Sequence, residues 1–236
     1  MGKGGKGRGI FVTGTDTGVG KTLVSCALVA HFRQNKIDAV GFKPVASGCV
    51  DGRWEDADLL HAASEKCEPL DALCPLRFSR PLAPTLAAHH EQRDVNLDLA
   101  RKALAYVRSR HAAVVVEGVG GLLVPLDAST LVLDFAREVN FPVLIVCRAA
   151  LGTINHTLLT VREVQRAGLT LAGIVMNTTR PEDTAVAAET RAEIERIAGI
   201  ELSAILPYLS PELSPHQRFT VAAAELDRQM KLNGLL

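Results

Sequence analysis

Ile10-Phe11-Val12-Thr13-Gly14-Thr15-Asp16-Thr17-Gly18-Val19-Gly20-Lys21-Thr22 decides the fold. An apolar run enters a glycine-rich turn that closes on Gly-Lys-Thr, and an amphipathic stretch follows from Leu23 to Arg33. Strand, turn and helix in that order make a phosphate-binding P-loop. Backbone N–H groups of the turn and of the helix N-terminus face an anion. Lys21 reaches the β- and γ-phosphates, and the Thr22 hydroxyl ligates Mg²⁺. The usual spacing would put a glycine at position 15, where this chain has Thr15; the glycine is Gly14, so the loop is one residue longer. The bland reading, a plain strand–turn–helix corner, does not account for Gly-Lys-Thr at the junction.

The rest of the chain repeats the alternation. Apolar, β-branched runs predict strands at 10–13, 39–42, 113–116, 143–147 and 171–176, with a weaker one at 203–206. Helical patterns lie at 21–34, 56–64, 96–110, 131–139, 154–167 and 184–197. Near-continuous apolar strands between amphipathic helices predict an α/β, single-domain, P-loop NTPase-like fold. Its sheet is mostly parallel, with helices on both faces. The 236 residues suit one domain, taken as 9–236, with residues 1–8 as a flexible tail. The proline-containing stretch 74–84 reads as a surface loop.

Composition narrows the function classes. A formal net charge of zero argues against a general nucleic-acid binder. No apolar run approaches a membrane span, and residues 1–8 lack the apolar core of a secretory signal. The five cysteines are odd in number and include no C-x-x-C, which predicts free thiols and a cytoplasmic setting.

In parallel sheets, ligands bind outside the carboxyl ends of the strands. Lys43 follows the second strand within Lys43-Pro44-Val45-Ala46-Ser47-Gly48 and is placed for phosphate contact beside a P-loop. A lone lysine there is otherwise a strand end reaching solvent. Glu117 ends the third strand before Gly118-Val119-Gly120-Gly121. A buried carboxylate needs a partner or a metal, and this one matches the metal-side acid of P-loop NTPases. Asp56 and Asp58 open a helix, where capping is the simpler reading of either alone. Asn177 follows the fifth strand, and its amide offers both a donor and an acceptor to a purine edge.

Together these segments resemble the dethiobiotin synthetase family. The resemblance rests on Val12 to Thr17, Val19-Gly20-Lys21-Thr22, Lys43 to Gly48, Val116-Glu117-Gly118, Gly120-Gly121, and Leu151-Gly152 with Ile154-Asn155-His156. It implies an ATP- and Mg²⁺-dependent cyclo-ligase that converts 7,8-diaminononanoate and CO₂ to dethiobiotin, through a carbamate and a carbamic–phosphoric anhydride. It implies Lys43 and Lys21 as catalytic residues, and Thr22, Asp56 and Glu117 as metal ligands. The nucleotide side takes in Gly18, Val19, Gly20, Lys21, Thr22, Leu23, Asp56, Glu117, Gly118, Val119, Gly120, Asn177, Pro207, Tyr208 and Leu209. The substrate side takes in Thr17, Lys43, Ser47, Gly118, Leu151, Gly152 and Asn155. It also implies a homodimer in which the Leu151–Asn155 region reaches the partner's substrate site. Gly18 stands where some members have glutamate, Val119 replaces a usual alanine, and Asp58 is the alternative to Asp56. The rival reading is a partition-type nucleotide-switch ATPase. It lacks support because no second lysine stands between Gly14 and Val19.

Overall fold

The computed structural model describes residues 8–236, so all but the last residue of the tail expected at residues 1–8 lies outside the described residues. Arg8 already opens the first strand, β1 (Arg8–Gly14). The helix α1 (Lys21–Gln34) follows the glycine-rich turn. The chain then forms β2 (Ala39–Phe42), β3 (Val45–Ser47), α2 (Glu55–Ala63), α3 (Leu70–Leu73), β4 (Leu76–Phe78), α4 (Pro84–His90) and α5 (Leu97–Arg110). Next come β5 (Ala113–Glu117), α6 (Val132–Val139), β6 (Val143–Arg148), α7 (Thr153–Arg166) and β7 (Leu171–Asn177). The chain ends with α8 (Thr184–Ala198), β8 (Ala204–Leu206) and α9 (Pro215–Met230).

Six strands form one parallel sheet in the order β2-β5-β1-β6-β7-β8. Alternate side chains of β1 show why both faces need helices. Ile10 and Val12 pack with Leu28 and Phe32 of α1 and Leu226 of α9. Phe11 packs the other way, with Leu104 of α5, Phe135 of α6 and Val161 of α7. Each face therefore removes a separate apolar cluster from water. Among the described residues no helix is long and apolar enough to cross a membrane.

The structure departs from the sequence expectations in ways that matter for the site. Three strands run past their apolar stretches and end on polar residues. The ladder continues through Val12 opposite Glu117 and Arg148 opposite Asn177. Backbone pairing with a neighbour carries a strand beyond the point where its side chains need burial. The stretch 74–84 is not only a surface loop. Its residues Leu76–Phe78 pair in parallel with β3, registering Ser47 with Phe78. The helix α9 went unforeseen, although Ser214 caps it by accepting from Gln217 N–H while Gln217 accepts from Ser214 N–H.

Candidate active site

The turn between β1 and α1 is built around close backbone contacts. A Cβ on Gly14 would lie 2.8 Å from Asp16 O and 3.0 Å from Lys21 Nζ. Gly20 takes a left-handed conformation (φ 97°) as the N-terminal cap of α1. No side chain caps that helix and no acidic residue stands in its first turn, so its N-terminal donors stay available to an anion. Lys21 arches back over the turn, its ammonium donating to Asp16 O at 3.0 Å. Burial, with the Lys43 charge next, draws the Lys21 ammonium down to about 8.

Four side chains meet beside this turn from four different elements. Lys43, in the short link between β2 and β3, donates from Nζ to Glu117 Oε1 at 2.6 Å and to Asp56 Oδ2 at 2.7 Å, and reaches Gly118 O at 3.3 Å. Lys43 and Glu117 are buried, at 1% and 0% exposure. Burial pulls the Lys43 ammonium down, but the charges of Glu117 and Asp56 outweigh it and hold the group above its ordinary value. Burial likewise pushes the Asp56 carboxyl up, and Lys43 reverses that, leaving it below the usual carboxylate range.

Thr22 Oγ1 lies 2.7 Å from Asp56 Oδ1 and 2.9 Å from Glu117 Oε1. A hydroxyl has one proton, so it satisfies only one of those carboxylates at a time. Glu117 Oε2 is buried with no hydrogen-bond partner. Thr22 Oγ1, Asp56 Oδ1 and Glu117 Oε1 converge with the Thr22 proton and the Lys43 ammonium as their only donors, and with the unpartnered Glu117 Oε2 beside them they fit a hard divalent cation. Among the described residues no group of three His, Cys, Asp or Glu forms a closed cage. Asp56 faces this cluster, whereas Asp58 lies 3.6 Å from Arg53.

The glycine segment after β5 packs on the turn. A Cβ on Gly121 would lie 3.4 Å from Gly14 O, and one on Gly120 would lie 3.8 Å from Thr17 Oγ1. Gly118 offers its carbonyl to Lys43. Ser47 sits partly exposed at the end of β3, outside the Lys43 hydrogen-bond network. Leu151, Gly152 and Asn155 are exposed at the start of α7, and none of them joins that network. Pro207, Tyr208 and Leu209 follow β8, with Leu209 packed against the α1 face of the core. Val19 is fully buried, Leu23 packs on the same core, and Gly18 is free of neighbours (φ 73°). Asn177 turns its amide toward the phosphate loop: Nδ2 donates to Val19 O at 3.0 Å. The two-stranded β3–β4 unit, which supports the entry to α2 through Trp54 Nε1 bonding Phe78 O at 2.9 Å, was missed in the sequence. A concavity of about 1020 Å³ lined by Arg8, Arg101 and Phe141 lies at the opposite end of β1 and shares no residue with this cluster.

A family model described as an AAA domain matches residues 8–217. The "ATP-dependent dethiobiotin synthetase BioD" of Anaeromyxobacter dehalogenans (strain 2CP-1) is 52% identical over 211 residues, spanning 89% of this chain and 94% of its own. The protein of the same name from Bacillus velezensis is 38% identical over 203 residues, 86% of this chain and 87% of its own. Among solved structures, the Pyrococcus furiosus cell division ATPase MinD superposes with a TM-score of 0.56 at 17% identity. That match covers 94% of this chain and 99% of the other and shows a shared fold.

Proposed function

This chain belongs to the ATP-dependent dethiobiotin synthetase family, and from that premise we propose how its residues divide the work. The protein is an ATP-dependent cyclo-ligase of biotin biosynthesis that closes the ureido ring of dethiobiotin. The carrying observation is the convergence of Lys43, Asp56, Glu117 and Thr22 against the phosphate loop. The likeness to MinD rests on fold alone and gives the switch reading no residue of its own.

In the proposed site the triphosphate lies along Gly18 to Leu23, with backbone N–H groups and Lys21 screening its charge. Thr22, Asp56 and Glu117 are the oxygen donors for Mg²⁺. When bound, that ion would neutralise the β- and γ-phosphates and favour transfer of the γ-phosphoryl group. One amine of 7,8-diaminononanoate, joined to CO₂ as a carbamate, is held near Thr17, Ser47 and Gly118. Lys43 brings its positive charge to the meeting point of carbamate and γ-phosphate. It holds these two anions together and stabilises the charge that develops as the carbamate oxygen attacks the γ-phosphorus, the bond to the bridging oxygen breaks and ADP leaves. The second amine then attacks the carbonyl of the mixed anhydride, and phosphate leaves. Val119 and Gly120 line the nucleotide, and Asn177 with Pro207, Tyr208 and Leu209 forms its base side.

The exposed start of α7 carries the proposed contact with a second copy. Leu151, Gly152 and Asn155 would complete the partner's diamine site. The cytoplasm suits five free thiols. The deciding experiment is a product assay with diaminononanoate, bicarbonate and MgATP. Formation of the cyclic urea with one phosphate released per turnover is expected. Diamine-independent ATP hydrolysis without cyclic urea would sink the reading.

A further inference from the structure

We propose that Asn177 is a positioning residue for the triphosphate: its amide is a strut that sets the Val19–Gly20 peptide of the phosphate loop. The proposal rests on the reading of that loop as the ATP site, and extends it to a residue otherwise assigned only to the base.

Asn177 is itself held firmly. It is the last residue of β7, paired opposite Arg148 on one side and Leu206 on the other. Its carbonyl accepts from Ala149 N–H at 3.1 Å. Its side chain is buried at 5% exposure, and Nδ2 donates to Val19 O, 158 residues away in sequence. A carbonyl only accepts, so chemistry identifies the nitrogen as the end of the amide that faces Val19. The contact is flush as well as polar: a Cβ on Gly20 would lie 2.1 Å from Asn177 Nδ2. Only a glycine lets strut and loop approach this closely.

The consequence follows from the planarity of the peptide. In a trans peptide the C=O and N–H vectors point in opposite directions. Holding Val19 O toward β7 therefore aims the Gly20 N–H away from β7. That N–H has no acceptor among the described residues. It sits one residue before Lys21 and two before Thr22, at the mouth of α1, where a phosphate oxygen would be received. Asn177 thus fixes the direction of a phosphate-binding donor without needing to touch the phosphate.

A ligand without a base separates this role from base recognition. Affinities of magnesium tripolyphosphate and MgATP are compared by calorimetry for the wild type, Asn177→Ala and Asn177→Asp. The strut predicts that both ligands weaken by similar factors, about tenfold for Asn177→Ala. The isosteric Asn177→Asp should weaken them further, because a carboxylate cannot donate to Val19 O and is repelled by it. Thermal unfolding confirms that the variants compared are folded. A variant with wild-type affinity for tripolyphosphate, whether or not MgATP binding weakens, overturns the strut. Wild-type protein that binds neither ligand would instead overturn the assignment of the loop as the ATP site.

Discussion

Lys43 Nζ lies 2.6 Å from Glu117 Oε1, and both groups are buried. A buried ion pair is stabilising mainly in the sense that neither half tolerates the loss of the other. Lys43→Met leaves Glu117 uncompensated and should lower stability by about 3–5 kcal/mol, while turnover falls by about two orders of magnitude or more. Adding Glu117→Gln should restore much of the stability and none of the activity. Denaturant unfolding alongside the cyclic-urea assay measures both. Recovery of activity in the double variant would remove Lys43 from the chemistry.

Asp56 and Asp58 stand two residues apart on α2 yet face different surroundings: Asp56 faces Thr22 and Lys43, Asp58 faces Arg53. Asp56→Asn should raise the Mg²⁺ concentration needed for half-maximal turnover by about tenfold or more, since it deletes a charged oxygen donor. Asp58→Asn should leave that concentration unchanged. Equal effects would mean the two carboxylates share the role.

Gly18 and Gly20 both have positive φ, but only Gly20 is crowded. Gly18→Ala should cost about 1 kcal/mol of backbone strain and leave MgATP binding within a few-fold of wild type. Gly20→Ala adds a collision with Asn177 and should abolish measurable MgATP binding. Calorimetric titration of the two variants tests the contrast, and similar affinities would contradict it.

Glu68 is buried beside α5, accepting from Arg110 Nε at 2.7 Å and Tyr106 OH at 3.0 Å, with His111 Nε2 at 3.1 Å. Burial pushes its carboxyl up, and the hydrogen bonds from Arg110, Tyr106 and His111 outweigh it, leaving the group below its ordinary value. The unfolded chain therefore takes up the proton at higher pH than the folded chain. The stabilisation is complete above the unfolded value of about 4.3 and is lost as pH falls through the lower folded value. Glu68→Gln should be less stable than wild type near neutral pH and should show a flatter acid limb in urea unfolding. Parallel stability–pH curves would exclude the linkage.

Leu151 is fully exposed at the entry to α7. If this segment meets a second copy, Leu151→Asp should leave the melting temperature of the folded chain nearly unchanged and shift sedimentation toward the monomer at micromolar concentration. It should also raise KM for the diamine more than KM for ATP. An unchanged sedimentation profile would place any dimer contact elsewhere.

The order of the six sheet strands and of the helices between them was legible because periodicity is local, whereas α3, α4 and α9 were not foreseen. Residues two apart share a strand face and residues three or four apart share a helix face, so Ile10 to Thr13 and Lys21 to Gln34 announce themselves within a few positions. The phosphate loop was legible for the same reason, its glycines and Lys21 being contiguous. The β3–β4 pair was not, since three-residue strands carry too little pattern to separate from a loop.

What the chain order alone determined is a parallel α/β sheet, a phosphate loop after its first strand, and a set of polar residues at the ends of later strands. What only the tertiary structure decided is where those side chains point. That Asp56 rather than Asp58 faces Thr22 and Lys43 depends on how α2 is set, with Trp54 at its entry tied to Phe78 O of the β3–β4 unit. The turn of the Asn177 amide onto Val19 O depends on a neighbour 158 residues distant. Local sequence sets backbone periodicity, but the direction of a polar side chain is set by whichever partner packing brings within 3 Å, and that partner is remote in the chain.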